Sequence, residues 1–170
     1  MKIALIHDGI FCRGGAERVF LNFIKSFPEA DIYTSIYNEQ NTYPEYKTFE
    51  INTSWIQKIV QNEKWFKKLF FPLGMRSMLN HNLSKYDVIL ASTTHCAKYI
   101  NPNNKTLVIN YCYTPFRLAW TPNSYNIYDK SHGIKKLILN YIINKLKKYD
   151  YAYAQRANKY IAMTDETSDR

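Results

Sequence analysis

Short apolar runs recur along this chain with room for a helix between them, and the strongest of them are apolar at odd and even positions alike. A strand solvated on one face alternates apolar with polar residues, whereas a strand buried on both faces does not. Residues 3–7 ("IALIH"), "YDVILAS" (86–92) and "KTLVINYCY" (105–113) are of the second kind. "DIYTSIY" (31–37), "TFEI" (48–51) and "KYIAMT" (159–164) read as further strands. Between them, residues 15–27 set Val19, Phe20, Phe23, Ile24 and Phe27 at helical spacing, and Pro28 closes that helix. Residues 134–157 predict a long helix and "CAKYI" (96–100) a short one. A mixed aromatic and basic stretch, 55–83, reads as mostly helical with an interruption at Pro72–Gly74. Strands alternating with helices, the strands apolar on both faces, predict an α/β fold: a Rossmann-like parallel β-sheet with helices on both faces. In such a sheet the loops at the carboxyl ends of the strands build the site; here these are 8–15, 92–96 and 113–122.

The 170 residues fit one domain or one lobe of a larger protein, and 46% hydrophobic residues suffice for a core. A net charge of +9 favours anionic partners without choosing among nucleic acid, membrane surface and phosphorylated substrates. No nucleic-acid-binding module is recognisable, which argues against the first. Cys12, Cys96 and Cys112 are far apart and show no ligand spacing, so they read as free thiols in a reducing compartment. No signal peptide precedes the first strand and no run reaches the ~18 apolar residues of a membrane span. The expected location is cytoplasmic. No internal repeat or low-complexity segment interrupts the pattern.

With only 5 glycines in the chain, the pair Gly14–Gly15 in "HDGIFCRGGAERVF" (7–20) stands out. Glycine lets a ligand approach the backbone, and a helix opening there aims unpaired N–H groups and its positive end at the loop. Together these suit a pyrophosphate. The spacing is not G-x-G-x-x-G and no G-K-[ST] follows, so dinucleotide and Walker-type sites are not indicated. A tight strand-to-helix turn without a ligand accounts for the glycines equally well. His95, at the carboxyl end of a strand, is either a site residue or a cap for the helix behind it. His7 reads as structural. Asp8 either touches a ligand or holds the turn. Arg117, whose planar fork suits an anion, and Trp120, whose ring offers a flat stacking face, alternatively pack their loop against the sheet.

"HDGIFCRGGAERV", "FPEADIYTSIY", "STTHCAKY" and "YCYTPFRLAW", in that order, resemble the amino-terminal half of family 4 glycosyltransferases, retaining enzymes of GT-B architecture. The closing "YIAMTDETSDR" resembles the segment where that half crosses toward a second domain. The resemblance implies a single acceptor-binding domain over 1–170, with the donor-binding carboxy-terminal domain outside this chain. It implies that Gly14 and Gly15 approach the donor diphosphate and that His95 lies near the transferred sugar, orienting a hydroxyl or steadying positive charge at the anomeric carbon. Asp8, Tyr113, Arg117 and Trp120 fall on the acceptor side. The nucleotide-sugar serves as donor substrate, with no metal and no other cofactor. Three positions depart from the family pattern: Tyr113 replaces the histidine of "YCHTP", Thr121 replaces a common acidic residue, and "IAMTDE" replaces an Asn-Ser pair.

The expected function is therefore a hexosyltransferase lobe whose full enzyme moves a sugar from a nucleotide-sugar to a glycan or lipid-linked acceptor, in surface polysaccharide or glycolipid assembly. The alternative is a non-catalytic acceptor- or membrane-binding subunit that needs a separate donor-binding partner. A nicotinamide-dependent oxidoreductase is disfavoured because the second strand closes with Tyr37 and Asn38 rather than an acidic residue. "EKWFKKLFF" (63–71) interleaves cations with large apolar side chains and is a candidate peripheral contact with the inner face of a membrane. For 135–153, a core-facing helix with a solvated basic back is preferred. There Leu137, Ile138, Tyr141, Ile142 and Leu146 are expected to face the core.

Overall fold

A computed structural model describes residues 1–60, 62–69, 73–124, 128 and 130–169. Six strands, β1 (Ile3–His7), β2 (Asp31–Thr34), β3 (Ile51–Thr53), β4 (Val88–Thr93), β5 (Leu107–Cys112) and β6 (Lys159–Ala162), form one sheet in the order β3-β2-β1-β4-β5-β6. Every neighbouring pair is parallel. The strand order reverses on either side of β1, where Ile6 pairs with Tyr33 of β2 and with Ala91 of β4. This is a Rossmann-like α/β sheet, and its switch point lies between β1 and β4.

All five residues of β1 are buried, because alternate side chains enter two separate cores. Ile3 and Leu5 pack with Phe20, Leu21 and Ile24 of helix α1 (Gly15–Ser26) on one face. Ala4 and Ile6 belong to the larger core on the other face, with Phe66, Ala119 and Leu146. Those three come from α2 (Glu63–Lys68), α3 (Arg117–Trp120) and α4 (Gly133–Ala154). Helices thus cover both faces. A short α5 (Asp165–Ser168), opened by a Thr164 side-chain cap, follows β6.

Several elements differ from the sequence expectation. The third strand is 51–53, because Pro44–Thr48 forms a 3-10 helix anchored by the buried Tyr46, whose hydroxyl donates to the Glu17 carbonyl at 2.6 Å. The expected helix over 55–83 is broken into a 3-10 turn at Trp55–Lys58, α2, and a 3-10 turn at Gly74–Arg76. Pro72, expected at the interruption, and Phe70 and Phe71 of the candidate membrane stretch lie outside the described residues. Residues 96–100 form a buried turn in place of a short helix. The largest difference is in α4. Its core contacts run from Ile142 to Tyr153, while Leu137, Ile138 and Tyr141 are 69%, 56% and 60% exposed. The helical period holds, but the core takes the line of Ile142, Leu146, Tyr149 and Tyr153, whereas Leu137, Ile138 and Tyr141 fall on a neighbouring line that stays exposed through Lys145 and Lys148.

Candidate functional site at the carboxyl ends of the strands

β1 delivers Asp8 to the edge of the sheet beside the loop that leaves β4. There the Asp8 carboxylate accepts backbone N–H groups of Thr94 (2.6 Å), His95 (3.0 Å) and Ala97 (2.7 Å), and the Thr93 hydroxyl at 3.4 Å. Burial alone would raise this carboxyl. The facing His95, its hydrogen bond, His7 and the Ala97 N–H outweigh burial and hold Asp8 well below the ordinary carboxylate range. Of the two roles open to Asp8, the geometry supports the second: its oxygens are spent holding the turn.

His95 stands with Nδ1 3.3 Å from Asp8 Oδ2, and its ring meets Phe116 edge-on at 5.4 Å between centroids. No helix follows it, so it caps none. Its side chain is 33% exposed, and Nε2 sits on the ring edge away from the Asp8 contact.

A second polar chain ties three strands to the start of α1. Tyr113 Oη donates to the Ala16 carbonyl at 3.1 Å, so it accepts from Ser92 Oγ at 2.8 Å. Ser92 Oγ has one proton to give, so His7 Nδ1 is the donor in their 2.9 Å contact. The direction His7→Ser92→Tyr113→Ala16 is therefore determined, and each link polarises the next. Burial depresses the His7 pKa below its ordinary value of 6.5, against the pull of Asp8 and Glu17, and the ring stacks on Phe20 at 4.8 Å. Tyr113, implied on the acceptor side, spends its hydroxyl on this chain. Ser92 escaped sequence reading, because nothing in "ILASTT" separates it from its polar neighbours.

The glycine pair divides into two unlike positions. Neither has a left-handed backbone; among the described residues only Gly133 does. A Cβ on Gly14 would run into Glu17 Oε2. Glu17 is buried in the first turn of α1 and accepts the Cys12 thiol at 2.9 Å. Part of the positive helix end thus faces the chain's own carboxylate, a term absent from the sequence expectation. Gly15 differs: a Cβ there meets nothing within 4 Å. A pocket of about 600 Å³ opens beside this loop, lined among others by Phe11, Cys12, Asn41, Glu63 and Trp65. Burial and Glu17 push the Cys12 thiol up to about 12.

Arg117 is exposed on α3. Trp120 donates Nε1 to Asp150 at 2.8 Å and lines a different cavity, of about 480 Å³, with Lys98, Cys112 and Tyr160. Asp150 also accepts Lys98 Nζ at 2.8 Å and the Tyr99 hydroxyl at 2.6 Å. His95, Asp8 and Gly15 thus share the switch-point edge, while Trp120 stands over a second recess. The Lys98–Asp150 pair was not foreseen; its one sequence signal is a lone acid within a lysine-rich helix. No protein-family model matches this chain, and neither a curated protein nor a solved structure matches it.

Proposed function

We propose that this chain is the acceptor-side lobe of a retaining glycosyltransferase of GT-B architecture, acting with a donor-binding lobe on a nucleotide-sugar and a glycan or lipid-linked acceptor. The observation that carries the reading is His95, partly exposed at the switch point, with Nδ1 against the Asp8 carboxylate. A carboxylate at Nδ1 favours the proton on that nitrogen, which leaves Nε2 to accept from a sugar hydroxyl or to face positive charge at an anomeric carbon. The ordered motifs "GGAERV" and "YCYTPFRLAW" support the same reading by resemblance.

In this proposal the phosphate–sugar bond breaks with its electron pair on the diphosphate, the acceptor oxygen bonds to the anomeric carbon on the same face, and the acceptor's hydroxyl proton passes to the departing diphosphate. Gly15 lets the diphosphate reach the first N–H groups of α1 over a surface where a Cβ finds open space. Asp8, Ser92 and Tyr113 act as positioning residues, and Trp120 offers a ring face for a sugar. The reading requires no metal. It places the lobe in the cytoplasm, with Trp65 of the 63–71 stretch, 52% exposed, as a peripheral membrane contact. The second reading, a non-catalytic binding subunit, is favoured by Glu17, whose carboxylate opposes an anion at the helix start.

The test incubates the polypeptide encoded by the complete gene with a panel of nucleotide-sugars and with glycan and lipid acceptors. Transfer with retained anomeric configuration is expected, and the 170-residue chain alone is expected to give no product, because two reactants must be held together. His95→Ala should lower kcat and kcat/KM together by ~10²–10³, with the donor KM and the melting midpoint near wild type. Gly15→Val should lower turnover comparably in a folded protein. Folded protein inactive with every donor would replace the enzyme reading by the second one.

A further inference from the structure

We propose that the amino-terminal half of α4 is a docking surface for an anionic lipid bilayer. Ile134, Leu137, Ile138 and Tyr141 are 76%, 69%, 56% and 60% exposed. Their spacing, i, i+3, i+4 and i+7, puts them on one line along the helix. The same line continues through Lys145 and Lys148, both exposed, and Lys145 Nζ lies 5.6 Å from the centre of the Tyr141 ring. Lys135 and Lys136 flank the stripe at its other end.

Four large apolar side chains on adjacent turns form a contiguous patch rather than scattered exposure. The core needs none of them, since the helix meets it from Ile142 onward. The charge around the patch selects the occupant. The only acid on α4 is Asp150, which is buried against Lys98 on the opposite side, so five lysines act without a counter-charge on the helix. A second copy of this chain would bring lysine against lysine across the stripe. A bilayer with anionic headgroups takes both parts at once. Apolar side chains enter the acyl boundary, while lysine stems run up to the headgroups. No helix among the described residues is long and apolar enough to cross a membrane, so α4 would lie in the interface plane.

This inference does not depend on the glycosyltransferase reading, and its test reads no activity. The 170-residue chain is sedimented with vesicles of phosphatidylcholine, with and without phosphatidylglycerol, at low and high salt. Binding is expected only with the anionic lipid, weakening as salt rises. Leu137→Ser with Ile138→Ser, and separately Lys145→Glu with Lys148→Glu, should each reduce binding by about 10-fold or more. Circular dichroism and the melting midpoint should match wild type, because all four side chains are exposed. Trp65→Ser serves as the comparison, and its binding should change less than that of either α4 variant. Vesicle binding unchanged in both α4 variants, or equal binding to neutral vesicles, overturns the proposal. So does a concentration-dependent dimer that the Leu137/Ile138 variant abolishes, since that assigns the stripe to a second copy.

Discussion

At the scale of single residues, Asp8 carries the loop geometry and Gly14 carries the approach to α1. Asp8→Asn keeps the shape but turns one acceptor oxygen into an amide donor facing backbone N–H groups. At least one of the Thr94, His95 and Ala97 donors then loses its partner in a buried setting. A loss of about 3 kcal/mol is expected, read as a shift in denaturant midpoint at unchanged slope. Stability within a few tenths of wild type would show that the carboxylate is not the clamp. The two glycines should separate cleanly. Gly15→Ala is expected to be neutral or slightly stabilising, because its Cβ meets open space and the backbone is not left-handed. Gly14→Ala requires the Glu17 carboxylate to shift from its place beside Cys12, a cost of up to about 1 kcal/mol. Glu17→Ala in the same chain should remove most of the further penalty from Gly14→Ala. Equal effects at both glycines would contradict this division.

At the scale of elements, sequence and structure agree where burial alone decides. β1, β4 and β5 were legible because a parallel strand covered on both faces reads as apolar throughout. Residues 96–100 were not, because their conformation depends on Asp8, which is remote in sequence. The start of β3 was missed for a similar reason: Tyr46 is held by the Glu17 carbonyl across the fold. In α4 the period was visible, but with apolar residues on two adjacent lines the sequence does not say which line meets the core: Ile142 and Leu146 do, Leu137 and Tyr141 do not. In the site, position at a strand end singled out His95, Asp8 and the glycines, whereas the Ser92–Tyr113 chain exists only after β4 and β5 pair. The Lys98–Asp150 pair shows what such long-range ties contribute. It joins the turn after β4 to the end of α4 with both side chains about 95% buried. Lys98→Met leaves a buried carboxylate with only Tyr99 and Trp120, at an expected cost of about 3 kcal/mol. Lys98→Met with Asp150→Leu should recover most of it, because an apolar pair carries no stranded charge. A double variant no more stable than the single one would mean that Asp150 matters mainly through Tyr99 and Trp120.

At the scale of the whole molecule, these buried groups set a stability curve with two limits. Burial lowers the pKa of His7 and of His81 below 6.5, so the unfolded chain takes up protons there before the folded one does. Their contribution is complete above about 6.5 and declines as pH falls through the folded values. Asp8 and Asp31 are held below 3.8, Asp31 chiefly by the Tyr86 hydroxyl, so a second loss begins under that pH. On the alkaline side, burial raises Tyr46, Tyr99 and Tyr113 above 10. Their contribution holds below 10 and is lost as the unfolded chain ionises first. Every proton taken up in acid also adds to a net charge of +9. Burial likewise raises the Cys12, Cys96 and Cys112 thiols above 9, so unfolding free energy should be nearly flat from about 6.5 to 9 and fall outside that window. His7→Asn tests the acid limb at its source. The amide nitrogen overlies Nδ1 and still donates to Ser92, but it cannot titrate. The variant should be less stable at neutral pH for want of the Phe20 stack. Its slope between pH 6.5 and 5 should be shallower than wild type, by at most the ~1.4 kcal/mol per pH unit of one proton. Denaturant titrations at several pH values measure that slope directly, and an unchanged slope would mean that His7 is not the group that takes up the proton.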